Sequence, residues 1–176
     1  ARALLARVYL QQGNYSAARD AAHDVLENSG HFLAPDLFSA FNNESDGVED
    51  IFAMQVTTQD GRNDFNVYWA TIQFGGRSQT ADVTIEAPFF ELFTGLDDRS
   101  EFFYEGNGTI VTGKWQGQFT NVPFMRIAEM HLIRAESNLR ENTSLGLAHE
   151  DEINALRSRS NANPIFGIKL EEILEE

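Results

Sequence analysis

The 176-residue chain contains no cysteine. That excludes disulfides, thiolate metal sites and a cysteine nucleophile. Basic residues are scarce: 13 Lys and Arg stand against 27 Asp and Glu, a formal net charge of −14. Such a surface repels phosphate backbones and anionic lipid headgroups, which argues against nucleic acid as a partner and leaves neutral or cationic ligands open. No apolar run reaches the roughly 18 residues a membrane span needs. The four histidines, His23, His31, His131 and His149, are scattered without metal-ligand spacing. G-x-S-x-G, H-E-x-x-H and phosphate-loop motifs are absent. No cofactor, metal or catalytic constellation is implied.

What is present is an ordinary globular balance, 42% apolar and 23% charged, in a chain long enough for one domain with a core. The first 28 residues carry the clearest local pattern. Leu5, Val8, Tyr9 and Leu10 form an apolar face at helical spacing, and Gly13 breaks it. A second helix follows with Ala18, Ala21, Ala22, Val25 and Leu26 on its packing side, and Gly30 is placed to cap it. This pair resembles a tetratricopeptide repeat, with small Ala6 and Ala18 allowing close approach, although Ala22 and Gly30 replace that repeat's usual aromatic and proline.

Residues 31–123 lack a sustained helical period. Glu49–Val56 and Thr109–Thr112 read as short strands, Phe89–Phe93 as a short helix after Pro88, and Asp60–Asn63, Gly75–Gly76 and Gly106–Gly108 as loops. The many aromatics of this middle imply packing. Helical pattern returns at Phe124 and runs to Leu139; after a turn at Glu141–Ser144, Leu147, Ile153 and Leu156 mark a second helix ending before Pro164. The reading is mainly α: a single domain over 1–176, with helix pairs at 1–30 and 124–160 holding a loop-rich segment at 31–123. The two pairs are expected to stack, because one repeat cannot bury its own apolar face. The chain opens inside a helical pattern and closes on KLEEILEE, so any targeting or lipid-attachment signal is expected outside it.

The order of these pieces resembles the SusD/RagB-like outer-membrane lipoproteins of Bacteroidetes-type bacteria. An A-L-L-A-R-x-Y-L-x-x-G-x-Y-x-x-A helix pair spans Ala3–Ala18, and E-x-I-F is Glu49–Phe52. A D-P-R-like turn is Asp97–Arg99, with Asp98 in place of proline, and Lys114-Trp115 matches a lysine–aromatic step. P-x-x-R-x-A-E-x-x-L-I-x-A-E runs from Pro123 to Glu136, and I-N-x-L-R-x-R from Ile153 to Arg159. The resemblance covers nearly the whole chain, without that family's N-terminal helices or its C-terminal E-R-x-x-E-L helix. It implies a non-catalytic glycan- or nutrient-binding protein, lipid-anchored on the outer-membrane surface, that passes ligand to a SusC-like TonB-dependent transporter. The alternative is a helical-repeat scaffold that binds only protein.

The segment richest in sugar-compatible chemistry is Arg62–Phe74. Sugar rings need flat aromatics for their apolar faces and amide or charged groups for their hydroxyls. Tyr68 and Trp69 are the candidate platforms, with Asn66 and Gln73 as candidate hydrogen-bond partners. A second reading stays open, in which Tyr68 and Trp69 anchor the loops onto the helices; Trp115 beside Lys114 is a weaker candidate, because the resemblance makes it a packing position. If Tyr68–Gln73 is extended, Tyr68 and Trp69 point opposite ways, so that one touches ligand and the other anchors. Asn42-x-Glu44-x-Asp46-Gly47 reads as an acidic loop, because Ala53 stands where an EF-hand places its bidentate Glu. Asp97 and Asp98 beside Arg99 read as ionised, turn-capping carboxylates and not as a glycosidase pair.

Overall fold

The computed structural model describes every residue except Thr94. In chain order the elements are α1 (Arg2–Gln11), α2 (Tyr15–Asn28), β1 (Asp50–Met54), α3 (Asp64–Trp69), α4 (Ala87–Phe90), β2 (Phe103–Gly106), β3 (Thr109–Thr112), β4 (Val122–Arg126), α5 (Ile127–Glu141), α6 (His149–Arg159) and α7 (Leu170–Glu175). The fold is mainly helical.

α1 and α2 form the first helix pair. Gly13 adopts φ 71° in the turn between them. Asn14 caps α2, its Oδ1 accepting from the Ala17 N–H at 3.3 Å. The faces that meet are built from small residues: Ala3, Ala6, Ala18, Ala21 and Ala22 are all buried. The expected Leu face is corrected here. Leu4, Leu5 and Val8 lie on the outside of α1, 52%, 41% and 39% exposed. Alanines set the helix separation, so the bulky residues turn outward, and only Tyr9 and Leu10 reach the core edge.

The two helix pairs do stack. α2 packs on α5, and Ala18, Ala21 and Val25 share one core with Ile127, Met130 and Ile133. On its other side α5 meets α6 and α7 through Ala135, Ile153, Ile168 and Ile173. The α5–α6 turn is organised by Asn138, which is 0% exposed. Its amide donates to the Leu145 and Leu147 carbonyls, both at 3.1 Å, and accepts from the Thr143 hydroxyl at 2.8 Å. Asn142 ends α5 in the left-handed conformation, φ 52°.

α5 begins at Ile127, not at Phe124. The preceding Val122–Arg126 pairs antiparallel with β1, with irregular register near Phe52. The Ile127 N–H, at the start of the helix, is taken by the Glu49 carbonyl at 2.8 Å. This ladder ties the middle segment to the helices. Gly106–Gly108, expected as loop, is instead the tip of a hairpin: β2 and β3 pair in register, and Asn107-Gly108 turns with both φ positive, 52° and 85°.

Charged motif residues make the joints. Glu49, 1% exposed, receives Arg159 in a short ion pair and lies 3.6 Å from Arg126. It also accepts from the Ala34 N–H at 2.9 Å. Glu129 pairs with Arg7 of α1 at 2.6 Å. Arg134 and Glu152 form a buried pair at 2.7 Å between α5 and α6, flanked by His131 on Glu152 and His23 on Arg134.

Candidate functional site

α3 is short and needs its cap. Asn63 Oδ1 accepts from the Asn66 N–H at 2.7 Å, while its Nδ2 donates to the Gly117 carbonyl at 3.0 Å. Asn66 Nδ2 donates to the carbonyls of Phe74 at 3.0 Å and Trp115 at 2.8 Å. These two amides clasp residues 115–118 around α3. Phe65 stacks on Trp115 with ring centroids 4.6 Å apart. Behind the helix, Gly76 lies so close to the Ala70 carbonyl that any Cβ would collide with it.

The clasp places Trp69 and Trp115 on one groove of about 390 Å³, with Ile85, Phe89 and Phe103. Phe103 is held in turn by Phe90 edge-on and Phe93 stacked, each with centroids 5.5 Å away. The groove's few polar groups include Thr84, Glu86, Thr112 and Lys114. This volume and a mostly apolar lining with sparse polar groups suit a small-molecule site. Phe89, Phe103 and Lys114 also line an inner cavity of about 150 Å³, where Arg99, Arg126 and Arg159 join them. Burial, reinforced by the charges of Arg126 and Arg99, pushes Lys114 down to about 8. A second groove, lined by Met54, Arg62, Asp64 and Phe65, lies at the other end of α3.

The four candidates from the sequence separate. Trp69 is half-buried and lines the aromatic groove. Tyr68 is 40% exposed, away from it, with the Arg77 guanidinium 4.6 Å from its ring centroid. Gln73 is exposed and does not line the groove. Asn66 is a correction: it is 0% exposed and its amide hydrogens are spent on backbone carbonyls, so it positions the site and cannot touch a ligand. The premise of an extended Tyr68–Gln73 also fails. Residues 64–69 are helical, so Tyr68 and Trp69 diverge by helical rotation, not by strand alternation. The groove residues missed by the segment-based reading, Phe89, Phe103 and Trp115, come from three distant stretches. The signal for Trp115 was its place beside one of the chain's few basic residues.

Asp97 behaves as the sequence reading expected of a turn cap. Burial alone would raise its carboxyl, but hydrogen bonds and charge from Arg99 outweigh that and hold it below the usual carboxylate range. The acidic Asn42–Gly47 loop is also committed internally: Asn42 bonds Gly113 and Gly117, and Asp46 accepts from Gln55 and Asn121.

Comparison with solved structures then decides the architecture. A SusD-like carbohydrate binding protein from Bacteroides vulgatus superposes with TM-score 0.76 over 99% of this chain at 19% identity. A SusD superfamily protein from Bacteroides thetaiotaomicron gives TM-score 0.76 over 99% at 22% identity. The chain has the SusD-like fold. A third structure, crystallised with xylogluco-oligosaccharide, matches over 99% of the chain with TM-score 0.79 and 21% identity. No protein-family model and no curated protein sequence matches the chain. The chain spans 40%, 44% and 46% of the lengths of these three structures.

Proposed function

We propose that this chain forms the ligand-holding part of a non-catalytic, cell-surface glycan-binding protein. Residues 1–176 act as one domain in which the helix pairs are the frame and 31–123 is the ligand face. The observation that carries the reading is the groove in which Trp69 and Trp115 come together with Phe89 and Phe103 on a sparsely polar wall. Flat indole faces and a few polar groups are what sugar rings require. A SusD-like neighbour described as carbohydrate binding, and another structural neighbour crystallised with an oligosaccharide, support it. Asp97, held ionised by Arg99, is no proton donor, which supports binding without hydrolysis.

In this reading the protein sits on the outer-membrane surface through a lipid anchor and hands its ligand to a SusC-like TonB-dependent transporter. The exposed Leu4, Leu5 and Val8 of α1 favour a second role for the helices, as a docking face for protein. The test is a glycan-binding screen of the full-length protein, followed by affinity measurement on Trp69→Ala. Stacking on an exposed aromatic contributes about 1 to 2 kcal/mol, so affinity is expected to fall about tenfold. No binding to any glycan, together with capture of a protein partner through α1, would leave the scaffold reading instead.

A further inference from the structure

Lys114 is out of keeping with its surroundings. Its ammonium lies 5.2 Å from the Phe41 ring centroid, a contact that supplies no counter-charge. The three arginines of the adjoining cavity each have a carboxylate within ion-pair distance: Arg99 has Asp97 and Glu176, while Arg126 and Arg159 share Glu49. Among the described residues, no carboxylate forms an ion pair with Lys114. An unmatched cation withdrawn from water destabilises a fold, and such groups cluster where ligands bring the missing charge. This one lines the wall shared by the aromatic groove and the inner cavity.

We propose that the groove takes an acidic sugar, its carboxylate or sulfate received by Lys114 while its ring lies on the aromatic wall. The inference rests on the glycan reading of this groove and narrows it to a charged class. The chain's overall charge of −14 opposes anions at long range, so a local cation is what would admit one. The selectivity is therefore a property of the groove and not of the surface.

The chain has two tryptophans, and both line the groove, so intrinsic emission reports on it directly. The probes are D-galacturonate, D-glucuronate and D-galactose 6-sulfate against D-galactose and D-glucose, titrated into the full-length protein at pH 7. At least one acidic sugar is expected to shift the emission saturably, at a concentration about tenfold or more below its neutral counterpart. Which of the uronates or the sulfate does so tells carboxylate from sulfate. Lys114→Met is expected to abolish the preference for the acidic sugar over its neutral counterpart, and Lys114→Arg to keep it.

A second readout needs no variant. The acidic preference in wild type should decline as pH rises through about 8, where Lys114 loses its proton. The other charged groups that line cavities with it are Arg99, Arg126, Arg159 and Glu176 in the inner cavity, Glu86 in the groove and Asp50 in a small neighbouring pocket. Equal response to acidic and neutral sugars, or a preference that survives both Lys114→Met and pH 10, overturns the inference and leaves the glycan reading standing. Silence toward all five sugars, together with binding of a larger neutral glycan that leaves tryptophan emission unchanged, overturns the groove assignment itself.

Discussion

Glu49 and Asp24 show how differently two carboxylates of one chain can matter. Asp24 pairs with Arg2 at 2.9 Å on the surface, with side chains 44% and 61% exposed. Asp24→Asn is expected to change unfolding free energy by less than about 1 kcal/mol in urea titration. Glu49 is buried, accepts from Arg159 and lies within ion-pair distance of Arg126. Glu49→Gln keeps its shape but strands two inward-facing guanidiniums, and about 3 to 5 kcal/mol of stability should be lost. Lys114 gives a third outcome. Its folded-state value of about 8 lies below the roughly 10.4 of an unfolded lysine. Between those values the unfolded chain holds the proton and the native one does not, so stability rises with pH across that window. Lys114→Met should lack that rise and, at pH 7, melt above wild type; a lower melting temperature would mean the ammonium has a partner. At this scale the sequence told residue type and little about direction. Asn66 looked like a sugar contact because its chemistry suits hydroxyls, but its amide is consumed by the Phe74 and Trp115 carbonyls. No local pattern distinguishes an amide that faces a ligand from one that faces backbone.

Elements were more legible, for a physical reason. α1, α2, α5 and α6 carry their periodicity and stop signals within themselves, so their existence could be read directly. What could not be read depended on distant partners. Val122–Arg126 is a strand because β1 offers it a ladder, and α1 faces inward with alanines because α2 does the same. Asn107-Gly108 was an available hairpin signal that the glycine count obscured. The short α3 depends most on tertiary help, through Asn63 as cap and clasp. Asn63→Ala removes the cap and the side-chain bond to the Gly117 carbonyl, which the Thr120 hydroxyl still serves, and should cost about 1 to 2 kcal/mol. Because the same bonds seat residues 115–118, it should also red-shift tryptophan emission as Trp115 loses its packing on Phe65. A variant of wild-type stability and emission would show that α3 stands without the clasp.

At the scale of the molecule, two helix pairs far apart in sequence join through α2 and α5, and that junction fixes what lies between them. The order of weak motifs made the SusD-like architecture readable, since Glu49, Arg126 and Arg159 come from three of those motifs and meet at one joint. The ligand groove was only partly readable. Trp69 was named from the sequence; its companions Phe89, Phe103 and Trp115 arrive from α4, β2 and the stretch before β4. Only the fold brings them together, so a segment-by-segment search finds one wall of the site at a time. The most direct test is a crystal structure of the full-length protein with an oligosaccharide from the binding screen. A sugar ring lying on Trp69 or Trp115 in the groove, with its glycosidic bonds intact, is the predicted result. Sugar bound elsewhere with the groove empty, or recovered as cleaved product, would contradict it.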